Sequence, residues 1–88
     1  MAKKEEERKT LDFSVVGLKQ VLRELDSERI ETVYLAKDAD PEIRNTVLAK
    51  CRDKEVTVET VPTMKELGQL AGIEVKAAVA GIFKESLG

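Results

Sequence analysis

The chain has no histidine, no tryptophan and a single cysteine, Cys51. Without histidine there is no Ser-His-Asp triad and no Cys-His nucleophile pair, and one thiol cannot build a structural zinc site. One cysteine also excludes an intrachain disulfide framework. Phe13, Tyr34 and Phe83 are the only aromatics, too few for a sheet on which successive unpaired bases stack. No apolar run is long enough to cross a bilayer. The opening "MAKKEEERK" lacks the hydrophobic centre of a signal peptide, so a cytoplasmic protein is expected. The formal charge is only −2. Global charge therefore does not draw the chain to a polyanion, and any nucleic-acid site must be a local cluster of cations.

What is present suffices for one small domain. Hydrophobic residues make up 42% of the 88 and charged ones 36%, which provides a core and argues against wholesale disorder. Residues 1–9 alternate in charge without apolar partners and are expected to form a disordered leader to a single domain over residues 10–88. "FSVVG" is a short apolar run ended by Gly17, a brief strand feeding a turn. From there the period changes: Leu18, Val21, Leu22 and Leu25 form a helical stripe that stops at Asp26-Ser27.

"ETVYLAKD" is a buried strand centred on Val33 to Ala36. "DADP" opens a second helix, with Asp40 at the N-cap and Pro41 at the first helical position. Its inner face is Ile43, Val47, Leu48 and Cys51. "EVTVETV" alternates with period two and places Val56 and Val58 on one side, with Thr60 continuing the row. Thr63 and Glu66 have the spacing of a capping box, so a third helix begins there, carries Met64, Leu67, Leu70 and Ala71 inward and stops at Gly72. Gly68 inside that helix costs about 1 kcal/mol of propensity against alanine, which points to close approach of backbone or ligand. A final strand is expected over Lys76 to Phe83. Strands alternating with helices predict an α/β fold, a three-layer α-β-α sandwich around a four-stranded mixed sheet.

Three stretches offer chemistry. With the Leu18 stripe facing inward, Lys19 and Arg23 share the opposite face at i, i+4, Gln20 lies beside Lys19, and Gly17 precedes a helix start with unsatisfied N–H groups. That set suits a phosphate, with Gln20 able to read a base edge, or it is simply a solvated face. In "AKDADP", Asp38 and Asp40 follow a hydrophobic strand, and the choice is between a magnesium or phosphoacceptor pocket and plain helix capping. Lys37 beside them can add to the charge of Lys19 and Arg23. In "GIEVK", Ile73 and Val75 flank Glu74 after a glycine, with Lys76 following. They either tuck into the core or project as cover for an unpaired base, with Lys76 on a phosphate. Cys51 and Tyr34 read as core packing. No catalytic residue, metal set or cofactor site emerges.

Taken in order, "VGLKQVLREL", "VYLAKDADP" and "VPTMKELGQLAGIEVKAA" resemble the ribosomal L-seven-Ae and L-thirty-e family of kink-turn RNA-binding proteins, most closely its small bacterial members. The resemblance runs from about Ser14 to Phe83. It implies an α-β-α sandwich that binds a sharply bent internal loop of duplex RNA. The helix start beside tandem sheared G·A pairs would comprise Gly17, Leu18, Lys19, Gln20 and Arg23, and the loop over splayed bases Ile73, Glu74 and Val75. Lys37 would stand near the RNA, and Lys76 would add a phosphate contact. Leu18 stands where bacterial relatives typically have Thr, Arg23 replaces the usual Lys, and Lys76 replaces a small residue or proline. The resemblance thus implies a non-catalytic RNA-binding protein of a ribosome or other ribonucleoprotein, with no membrane partner and no need for more than a monomer. The alternative is a protein-interaction module on the same scaffold.

Overall fold

The computed structural model describes residues 12–84 and contains the expected alternation of strands and helices. β1 is Val15–Val16, α1 Leu18–Asp26, β2 Ile30–Ala36, α2 Pro41–Lys54, β3 Thr57–Val61, α3 Met64–Leu70 and β4 Val79–Phe83. The leader expected over residues 1–9 lies outside the described residues.

Each helix follows from its local sequence. In α1, Val21 and Leu25 are fully buried, with Leu18 and Leu22 packed on the same cluster, as the stripe requires. Pro41 occupies the first turn of α2, which ends at Glu55 in the left-handed conformation (φ 59°) with its N–H on the carbonyl of Arg52. Asp40 holds the N-cap position, but its carboxylate makes no capping bond. Asp38 is the aspartate that caps, and it caps a different helix: its Oδ1 accepts from the N–H of Met64 at 2.8 Å. In α3 the Thr63 hydroxyl accepts from Glu66 N–H at 3.0 Å, the N-terminal half of the capping box.

The strands pair in the order β1-β4-β2-β3. β2 and β3 are parallel, whereas β4 is antiparallel to both β1 and β2, so the sheet is mixed. Because side chains alternate across a strand, β2 serves two cores. Val33 and Leu35 point toward α1 and α2, with Val21, Leu25, Val47 and Cys51. Tyr34 and Ala36 point toward α3, with Leu67, Val61 and Ala80. One cluster on each side of the sheet makes three layers.

Thr60 pairs with Leu35 as Val58 pairs with Val33, so it continues that row, although it is exposed. One strand expectation needs correction. β4 begins at Val79 and not at Lys76, because the N–H of Ala77 bonds to Met64 of α3 (3.1 Å) and holds the preceding residues off the sheet. Cys51 is 1% exposed, and burial pushes its thiol up to about 11, so at neutral pH it is protonated apolar filler. Among the described residues no helix is long and apolar enough to cross a membrane.

Candidate nucleic-acid interface

Sheet register decides which loops meet. β2 and β3 run parallel and finish together, with Ala36 opposite Val61. β4 runs against β2 and therefore starts where β2 finishes, with Val79 opposite Leu35. The N–H of Gly17 donates to the carbonyl of Val79 at 2.9 Å, which brings the start of α1 to the same end. The Lys37 turn, the first turn of α3 and the loop of residues 72–76 complete that end. Asp38 fixes the turn to α3, and Lys37 N–H donates to Val61 at 2.8 Å. Residues far apart in sequence thus share one edge of the sandwich.

Gly17 lies at φ 111°, ψ 151°, a backbone conformation open essentially to glycine alone. A Cβ there would meet nothing within 4 Å, so glycine is required by the backbone angle and the space before the helix is open. Lacking a side chain, it caps nothing. The N–H groups of Leu18, Lys19 and Gln20 have no acceptor among the described residues, which leaves donors and the positive end of the helix dipole facing outward. Lys19, Gln20 and Arg23 are exposed on the face opposite buried Val21 and Leu25. Leu18 packs partly on the core and offers its N–H outward. Lys37 is exposed.

The loop answers the choice that its sequence left open. Ile73 is 38% exposed and Val75 68%, the two large hydrophobics that stand out among the described residues. Backbone contacts hold them there. Gly72 takes a positive φ of 73° and donates to Gln69, Ile73 N–H donates to Gly68 at 3.1 Å, and Ala77 N–H donates to Met64. The loop backbone passes directly over Gly68, where a Cβ would collide with the carbonyl oxygen of Val75 and approach Lys76 Cα at 3.3 Å. Because the main chain is the part lying against α3, the side chains of Ile73 and Val75 turn to solvent. Glu74 and Lys76 are exposed beside them.

Charge is distributed unevenly along the molecule. The ion pairs among the described residues, Arg29–Glu24, Lys50–Asp26 and Lys54–Glu28, lie at or beside the other end of α1. There the Lys50 ammonium, hydrogen-bonded to Asp26, holds that carboxyl below its usual value. None of Lys19, Arg23, Lys37 and Lys76 belongs to an ion pair among the described residues. The acidic pocket is not assembled: Asp38 is occupied with Met64 N–H, and no group of three His, Cys, Asp or Glu among the described residues is placed to hold a metal.

Sequence and structure comparisons bear on the family and the fold. The sequence model of the "Ribosomal protein L7Ae/L30e/S12e/Gadd45 family" matches residues 2–87. A relative named as an RNA-binding protein of Halalkalibacterium halodurans is 40% identical over 70 residues, spanning 80% of this chain and 85% of that one. Another, an RNA-binding protein of Caldanaerobacter subterraneus subsp. tengcongensis, is 39% identical over 66 residues, 75% of this chain and 80% of the other. Among solved structures, a 15.5 kD RNA binding protein of Giardia lamblia superposes with a TM-score of 0.73 at 31% identity, covering 80% of this chain and 59% of that one.

Proposed function

The chain belongs to the ribosomal protein L7Ae/L30e/S12e/Gadd45 family, and we propose that it is a non-catalytic RNA-binding protein that recognises and stabilises kink-turn RNA. One observation carries the reading: a glycine-opened helix start, whose N–H groups and cations have no partner among the described residues, shares an end of the sheet with two exposed aliphatic side chains. A sharply bent internal loop offers a matching surface, with phosphates crowded at the bend, exposed G edges of sheared G·A pairs, and bases expelled from the stack. Lys19 and Arg23 meet phosphates alongside the N–H groups of α1, and Gln20 reaches a base edge. Lys37 and Lys76 add charge from either side. Ile73 and Val75 cover the flat face of an expelled base, and Glu74 between them can accept from an exocyclic amine.

Stabilisation follows from linkage. Free RNA exchanges between extended and bent forms, and a protein whose contacts exist only in the bent form shifts the population by its differential affinity. Every group invoked comes from one copy of the chain, so a monomer suffices, and a ribosome or other ribonucleoprotein is the natural setting for such an RNA.

Replacing Ile73 and Val75 together by serine tests the loop. Because both are exposed, the thermal midpoint is expected to stay close to that of the unsubstituted protein. Affinity for a kink-turn RNA is expected to fall about tenfold, at the lower end for loss of base cover. Unchanged affinity would remove the loop from the interface. A large fall in thermal midpoint would instead give these side chains a core role.

A further inference from the structure

Two segments of the proposed interface are tied to each other through the backbone of one residue, Met64, which opens α3. Its N–H donates to Asp38 Oδ1 at 2.8 Å, and its carbonyl accepts from Ala77 N–H at 3.1 Å. Asp38 belongs to the turn that carries Lys37, and Ala77 directly follows the loop that carries Ile73, Val75 and Lys76. The two segments thus meet on opposite peptide groups of a single residue. Elsewhere the turn is pinned to the sheet and to α2: Lys37 N–H donates to Val61, and Arg44 Nε donates to the Ala39 carbonyl at 3.2 Å. Among the described residues, one hydrogen bond joins the turn to α3, and Asp38 accepts it.

Ordinary helix capping does not account for Asp38. Thr63 already holds the N-cap of α3 and accepts from Glu66 N–H at 3.0 Å. A carboxylate exposed beside Lys37 also repels the phosphates that the lysine would attract. What Asp38 offers is a short side chain with acceptors only, which makes a charge-assisted bond to a distant backbone N–H. We infer that Asp38 is a positioning residue: through Met64 it sets the spacing between the Lys37 turn and the loop of residues 72–76. Without it, Met64 N–H has no partner among the described residues, and Ala77 loses a fixed acceptor. The consequence for RNA rests on the kink-turn reading, whereas the hold on the loop is measurable without RNA.

The experiment compares the unsubstituted protein with Asp38→Asn and Asp38→Ala. Amide hydrogen exchange reads the loop alone, and titration of a kink-turn RNA and its fully paired counterpart reads binding. Asparagine keeps an acceptor at the same reach, and alanine removes it. In Asp38→Ala, exchange at Ala77 is expected to quicken about tenfold and kink-turn affinity to fall about tenfold, as for loss of one charge-assisted bond. Asp38→Asn should recover most of both. Added to serine at Ile73 and Val75, Asp38→Ala should cost only about threefold more, because the contacts it positions are already gone. Titrations run well below the melting midpoint of the least stable variant, so unfolding does not enter. Unchanged exchange at Ala77 in Asp38→Ala would overturn the link to the loop, whatever the RNA result. Equal losses for alanine and asparagine would overturn it too, since the carboxylate charge would then matter in itself, and so would full additivity with the serine pair. If the unsubstituted protein binds kinked and paired RNA alike, the functional reading falls, while quickened exchange at Ala77 would still support the link.

Discussion

Exchanging Lys19 and Arg23 together for glutamate is expected to lower kink-turn affinity about a hundredfold or more, with the fold intact. Both side chains are exposed on the outward face of α1, and neither is held in an ion pair among the described residues. The folded protein therefore loses little when they change sign. In the proposed complex they face phosphates beside the N–H groups of the helix start, where two attractions would become two repulsions. The log–log dependence of affinity on salt should become shallower by about two units as those phosphate contacts vanish. A matched control lies at the other end of the molecule. Lys50 and Lys54 pair with Asp26 and Glu28, and exchanging them for glutamate alters net charge by the same amount. That variant should bind nearly as well as the original, since exposed surface pairs contribute little to stability and these two lie away from the proposed interface. Equal losses in the two variants would mean that affinity follows overall charge and not this site.

Gly68→Ala should be the most damaging single change to the loop. Propensity alone would favour it, because alanine stabilises a helix interior over glycine by about 1 kcal/mol. Packing opposes it. The added Cβ would enter the space of the Val75 carbonyl oxygen and crowd the Lys76 backbone. These are main-chain atoms, with no flexible side-chain end to swing aside, and overpacking of this kind costs about 1–3 kcal/mol. Relief requires the loop to lift from α3, which moves Ile73, Val75 and Lys76 together. Affinity for kink-turn RNA should then fall about thirtyfold, more than serine at the two apolar positions produces. The thermal midpoint should not rise, despite the better helix former. A variant that melts higher and binds normally would show that α3 does not hold the loop in place.

Local signals in the sequence were reliable where the physics is local. The Leu18–Leu25 stripe, Pro41 after Asp40 and the Thr63–Glu66 spacing each mark a helix, and α1, α2 and α3 start where those signals lie. The continuous apolar run from Val33 to Ala36 marks a buried strand, and β2 contributes to both core clusters. What escaped local reading depends on distant partners. Asp38 caps a helix that begins 26 residues later, a contact that requires β2 and β3 to end together. Gly68 signalled close approach, but only the folded chain shows that the approaching atoms belong to Val75. The start of β4 was misplaced because small apolar residues such as Ala77 and Ala78 fit a strand as well as a loop, and the bond from Ala77 to Met64 decides between them. The candidate site shows the same division. Lys19, Gln20 and Arg23 were legible as one helix face, and the family resemblance joined them to the loop.

The central claim is that this chain binds bent RNA in preference to straight RNA. The direct measurement is a titration, by gel shift or fluorescence, of one kink-turn RNA and of the same helix with its internal loop made fully paired, at one salt concentration. Binding to the kink-turn at concentrations where the paired duplex remains free is the result predicted. Equal affinity for the two would contradict recognition of the bend, and binding to neither would transfer the exposed loop and the α1 face to a protein partner.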